Sequence, residues 1–169
     1  KYIKHKVLDQ IIEIKSRQDW WVCEKLIERK RIIIRVVGNK SVGMGHVYRA
    51  LSLAHELIDQ EIIFVTSPEN DVAIDKLQFL GHEVSMYPKG EVVSGIINLR
   101  TDVVINDILS TKVSDVLPLM KKNIRVICFE DLGGGARHAN LVINELYDSQ
   151  KIPGKNILWG HKYLFLRDE

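Results

Sequence analysis

An α/β fold built on a doubly wound, mainly parallel sheet is what this sequence predicts, and three observations predict it. Residues 32–37, Ile-Ile-Ile-Arg-Val-Val, form a nearly continuous β-branched run, the mark of a strand covered on both faces. After it, short apolar stretches alternate with helical patterns of about ten residues, and strand–helix–strand units of that length specify right-handed parallel crossovers. The chain has 169 residues, 46% apolar and 27% charged, with a mean hydropathy of −0.05. That composition makes one well-packed domain and excludes a disordered chain.

Residues 1–30 stand outside the alternation. Ser16-Arg17-Gln18-Asp19 has the spacing of a capping box, and the helix after it gathers Trp20, Cys23, Leu26 and Ile27 on one face. We expect an appended helix docked on the domain. The domain itself spans residues 31–169. Its first strand, 32–37, leads through a glycine-rich turn, 38–45, into a helix over 46–58, whose apolar positions Val47, Ala50, Leu51, Ala54, Leu57 and Ile58 have helical spacing. A strand at 62–65, a helix at 71–80 stopped by Gly81 and a strand at 83–86 follow. Then come a short helix at 91–99, a strand at 103–105, a helix at 113–122, a strand at 126–129 and a last short strand at 141–143.

Composition narrows the function classes. Lys and Arg number 24 against 22 Asp and Glu, a net charge of +2 with the signs mixed along the chain, so no nucleic-acid partner is expected. Apolar runs are broken by charge far short of the ~20 residues a membrane helix needs, so no membrane span is expected. Cys23 and Cys128, far apart in apolar surroundings, read as reduced, buried thiols of a cytoplasmic protein. A start at Lys1 and a stop after an apolar run read as a piece of a longer polypeptide.

The most informative stretch is Ser41-Val42-Gly43-Met44-Gly45-His46-Val47-Tyr48-Arg49, between the first strand and the first helix of the domain. In an open α/β sheet ligands bind beyond the carboxyl ends of the strands, where a helix offers unpaired N–H groups and the positive end of its dipole. Gly43 and Gly45 would let the backbone approach a ligand, and His46 and Arg49 share a helix face. The dipole disfavours imidazolium, which makes His46 a candidate general base. The alternative is a tight glycine turn with His46 as a helix cap. A dinucleotide fingerprint fails because Tyr48 stands where a small residue is needed, and the Gly-Lys-Ser/Thr of a Walker loop is absent. Asn106 and Asp107 after the fourth strand, and Glu130 and Asp131 after the fifth, lie on the same edge. They could orient His46, bind sugar hydroxyls or cap the next turns. Gly133-Gly134-Gly135 reads as a flexible loop. His5, His55, His82, His138 and His161 have no metal-ligand spacing, so neither a metal nor another cofactor is expected.

These residues resemble a known family. Gly43-Met44-Gly45-His46-Val47-Tyr48-Arg49-Ala50-Leu51-Ser52-Leu53-Ala54 is similar to the Gly-x-Gly-His-x-x-Arg-x-x-x-Leu-Ala motif of the UDP-sugar hydrolase of pseudaminic acid biosynthesis and of the related spore-coat polysaccharide biosynthesis proteins. Asp102 to Asp107, Phe129-Glu130-Asp131-Leu132 and Lys162 to Arg167 resemble, in order, that family's fourth strand, its acidic fifth-strand end and the run closing its first domain. The resemblance implies a Rossmann-like amino-terminal half of a two-domain GT-B architecture. It assigns His46 to activating water for attack on an anomeric carbon with release of UDP from an amino-deoxy sugar. Gly43, Gly45, Arg49, Asp107 and Asp131, by their place on the same sheet edge, are the candidates for holding the nucleotide-sugar substrate. The resemblance also implies a second domain that supplies most nucleotide contacts. Ile12 to Trp21, followed by Glu24-Lys25-Leu26, resembles the carboxyl-terminal end of acylneuraminate cytidylyltransferases, though Lys15 replaces an acid there. The two likenesses together imply a fusion serving nonulosonic, sialic-acid-like sugars. The alternative is a non-catalytic sugar-binding or regulatory module attached to such a cytidylyltransferase.

Overall fold

The computed structural model describes residues 13–164. The last part of the 162–167 run, His5 and the first residues of the amino-terminal segment lie outside them. Within these bounds seven strands form one sheet, β1 Arg31–Val36, β2 Glu61–Thr66, β3 Val84–Met86, β4 Val103–Asp107, β5 Arg125–Phe129, β6 Leu141–Asn144 and β7 Ile157–Trp159. Their order is β3-β2-β1-β4-β5-β6-β7, and every pairing is parallel. The predicted neighbours β2, β1, β4 and β5 stand side by side at the middle of the sheet, as the β-branched runs demand.

Five helices accompany the sheet among the described residues: α1 Arg17–Glu28, α2 Gly45–Glu56, α3 Asp71–Phe79, α4 Val92–Asn98 and α5 Val113–Met120. Alternation along each strand sorts the core into two layers. Ile32, Ile34, Val36, Phe64 and Ile105 pack under α2 and α3 through Val47, Ala50, Ala73 and Leu77. On the opposite face Ile33, Val65, Val104, Val126 and Cys128 pack under α4 and α5 through Val92, Ile96, Val116 and Leu119. Helices on both faces of a parallel sheet are the doubly wound arrangement. The strand order reverses between β1 and β4, and there the loops after the two strands part to leave a crevice at the carboxyl edge.

Several expectations are corrected. The capping box forms, with Ser16 Oγ accepting from the Asp19 amide and Asp19 accepting from the Ser16 amide at 2.7 Å. But α1 buries none of its residues: Trp20 and Ile27 are exposed and Cys23 is half-buried, so this helix is not docked by its apolar face. It is tethered instead through Arg29, which donates to the Asp59 and Gln60 carbonyls at 3.0 and 3.2 Å. A strand the periodicity missed, β7, adds to the edge of β6, and a 3-10 turn at Ala136–His138 fills the crossover from β5 to β6. The triglycine is no free hinge. A side chain on Gly133 or Gly135 would collide with the Thr111–Lys112 backbone or the Thr111 hydroxyl, so close contact requires glycine there.

Candidate active site

The loop after β1 is built by side-chain amides. Asn39 Oδ1 accepts from the Ser41 and Val42 amides, each at 3.0 Å, and Asn70 Oδ1 accepts from the Gly38 amide at 3.1 Å. Gly43, with φ of 82°, turns the chain back so that its N–H reaches the Asn39 carbonyl at 2.8 Å. Helix α2 then begins at Gly45, with Met44 at its N-cap and no side-chain cap. His46 therefore does not cap the helix, and its ring is available to the cleft.

His46 Nδ1 lies 2.8 Å from Asp107 Oδ1. An ionised carboxylate only accepts, so this contact places a proton on Nδ1 and leaves the lone pair of the neutral ring on Nε2. Asp107 closes β4, paired in register with Val36, and its side chain is 2% exposed. Arg49, one helical turn beyond His46, donates to the same carboxylate through Nε at 2.8 Å and Nη2 at 2.6 Å. Its Nη1 donates to Glu145 Oε1 at 2.8 Å, and the guanidinium carbon sits 5.3 Å from the centre of the Phe129 ring. Burial works against the Arg49 charge, but the hydrogen bonds and charges of Asp107 and Glu145 outweigh it and hold the guanidinium above its ordinary value. Histidine, carboxylate and guanidinium thus form one fixed unit, with Asp107 as its hinge pin.

This unit borders a cleft of about 930 Å³ lined by Gly45, His46, Arg49, Glu130, Glu145 and Leu164, among others. Of the residues singled out in the sequence, His46, Arg49 and Asp107 come together, Gly45 lines the cleft and Gly43 shapes the turn. Asp131 does not join them. It is 1% exposed, and its carboxylate accepts from the Thr111 amide at 2.9 Å, the Thr111 hydroxyl and the Gly133 amide at 2.8 Å, which is the turn-holding role. Asn106 points to the other face, against Cys128. Glu145 escaped the sequence reading, although the rule that picked out Asp107 would have found it, since it directly follows β6. Among the described residues no group of three or more His, Cys, Asp or Glu could hold a metal ion, and no helix is long and apolar enough to cross a membrane.

Comparison with known proteins bears on the fold. No family model matches the chain. An uncharacterized protein of Methanocaldococcus jannaschii is 34% identical over 157 residues, covering 82% of this chain and 31% of that relative. The chain thus spans about a third of the length of the curated relative it matches. Among solved structures, MurG of Acinetobacter baumannii superposes with a TM-score of 0.57 at 16% identity, over 76% of this chain and 44% of that one. The Rossmann-like sheet therefore matches one half of a GT-B glycosyltransferase.

Proposed function

We propose that this chain is the amino-terminal half of a nucleotide-sugar-processing enzyme, a hydrolase that releases UDP from an amino-deoxy sugar for nonulosonic or surface-polysaccharide biosynthesis. The observation that carries the reading is the His46–Asp107 contact at the cleft. In this mechanism Nε2 of His46 takes a proton from a water, the oxygen of that water bonds to the anomeric carbon, and the bond from that carbon to the phosphate oxygen breaks. UDP departs with the bonding pair, and Asp107 steadies the imidazolium that forms. Arg49 holds Asp107 in place; it has already committed its donors to Asp107 and Glu145, so it orients the base more than it grips substrate.

Carboxylates outnumber cations in the unit, with Asp107 and Glu145 against Arg49. That balance suits the hydroxyl and amino groups of a sugar better than its phosphates. The nucleotide's contacts then belong mainly to the second lobe of a GT-B architecture. The test is release of UDP by the complete protein from a panel of UDP- and CMP-linked amino sugars. We expect turnover of a UDP sugar that His46→Ala abolishes while leaving substrate affinity within ~3-fold. Turnover that survives His46→Ala would remove the base from its role.

A further inference from the structure

Glu130 is the one acid of the cleft that the mechanism above leaves without a task. It follows β5 with φ of 49°, a left-handed conformation that residues with side chains seldom take. Its side chain is 7% exposed. Oε1 accepts from the backbone amides of Glu145 at 2.6 Å and Leu146 at 3.2 Å, and so fixes the turn in which β6 ends. Oε2 is buried with no hydrogen-bond partner among the described residues. The charged groups that face it are Arg49 of α2, whose Nη1 is 4.0 Å from Oε1, and Glu145 beyond β6; Asp107 of β4 and His46 of α2 stand behind the guanidinium.

A buried carboxylate oxygen with nothing to accept from is far costlier as an anion than as part of a neutral acid. An ionised Glu130 would also compete with Glu145 for Nη1 of Arg49. We propose that Glu130 is a positioning residue acting as the neutral acid. Its Oε1 pins the turn that presents Glu145 to Arg49, and its lack of charge keeps the guanidinium on Asp107, which in turn keeps the proton of His46 on Nδ1. Burial pushes the carboxyl above its ordinary range, the nearby Glu145 charge adds to this, and the two amides and Arg49 oppose it. The left-handed backbone serves the same end, because it aims the carboxyl back at the 145–146 amides.

The consequence for catalysis rests on His46 being the base, but the arrangement itself is read by spectroscopy. In carboxyl-¹³C spectra of the protein one glutamate should titrate above the ordinary carboxylate range and vanish in Glu130→Gln. In imidazole ¹⁵N spectra His46 should hold its proton on Nδ1 at neutral pH in wild type and in Glu130→Gln. In Glu130→Ala it should become a tautomer mixture, so that Gln restores what Ala loses. Raising the pH through the glutamate titration should loosen the Nδ1 proton in wild type only. In the complete protein kcat should fall over that same pH range in wild type and not in the Gln variant. Absence of a high-titrating glutamate, or a His46 signal as disturbed in Glu130→Gln as in Glu130→Ala, overturns the proposal. Should Glu130→Ala fail to fold, the pH series on wild type and Gln decides alone. Intact spectroscopy with no turnover would sink the hydrolase reading and leave the positioning role standing.

Discussion

Asp107 carries more of the site than any other side chain, because one carboxylate satisfies both a histidine and an arginine in a place water hardly reaches. Removing one partner of a buried ion pair strands the other, and the penalty exceeds what the pair contributes while intact. We therefore expect Asp107→Ala to lower the free energy of unfolding by ~3–5 kcal/mol, while His46→Ala, which removes a cleft-side ring and leaves the Arg49–Asp107 bonds in place, costs about 1 kcal/mol or less. Urea denaturation of the two variants side by side measures the difference, and equal losses would deny Asp107 its central place. A second residue-scale effect comes from His82, whose ring meets Phe64 edge-on with centroids 5.0 Å apart. Burial pushes this imidazole below its ordinary value of 6.5. A base with a depressed folded value takes up its proton more readily when unfolded, so it lowers stability as pH falls through 6.5. Unfolding midpoints should decline with acid over that window in wild type and decline less in His82→Phe; identical slopes would remove His82 as a source.

At the scale of elements, the crossover from β5 to β6 shows how glycine is used here. Gly133 and Gly135 lie against the Thr111–Lys112 segment so closely that a Cβ would overlap it, whereas one on Gly134 would find only ordinary contact at 3.7 Å with Val113. Gly133→Ala should thus destabilise by ~2–4 kcal/mol and Gly134→Ala by about 0.5 kcal/mol or less, read from thermal midpoints. Similar midpoints would mean that the loop does yield, as a plain reading of three glycines in a row suggests. Sequence alone cannot separate a hinge from a close contact, because both call for glycine and only the neighbour decides. The central strands were legible for the opposite reason: β1, β2, β4 and β5 are β-branched runs whose apolar length carries its own signal. Strand β7 was not, since its three residues follow Lys-Ile-Pro-Gly-Lys-Asn and become a strand only by bonding to β6. Half of the site was legible in the same way. His46 and Arg49 share a helix turn and Asp107 ends a strand; Glu145 directly follows a strand and was open to the same rule, but nothing local pairs it with a guanidinium 96 residues away. The helix α1 marks the other limit. Its capping box was readable from four letters, yet its packing depends on what lies across from Trp20 and Ile27, which periodicity does not specify.

For the whole molecule, the distribution of charge around the cleft has a measurable consequence. In a two-lobed GT-B arrangement the reacting sugar lies between halves, and holding reactants in place can supply ~7–11 kcal/mol of a barrier. The described residues set His46 and a carboxylate-rich wall at the cleft, and the amino terminus of α2, which carries no side-chain cap, is the feature beside them suited to an anion. A single helix end without a committed cation binds phosphate weakly, since Arg49 is already shared between Asp107 and Glu145. We therefore expect residues 1–169 to fold stably yet neither hydrolyse a nucleotide sugar detectably nor bind UDP more tightly than about millimolar, ~4 kcal/mol of binding free energy. Isothermal titration with UDP at moderate ionic strength is the measurement, with circular dichroism melting to establish the fold. A dissociation constant in the micromolar range would place the nucleotide on the Gly43–Gly45 loop. That outcome would reverse the division of labour, giving this lobe the nucleotide as well as the base and leaving the sugar to its partner.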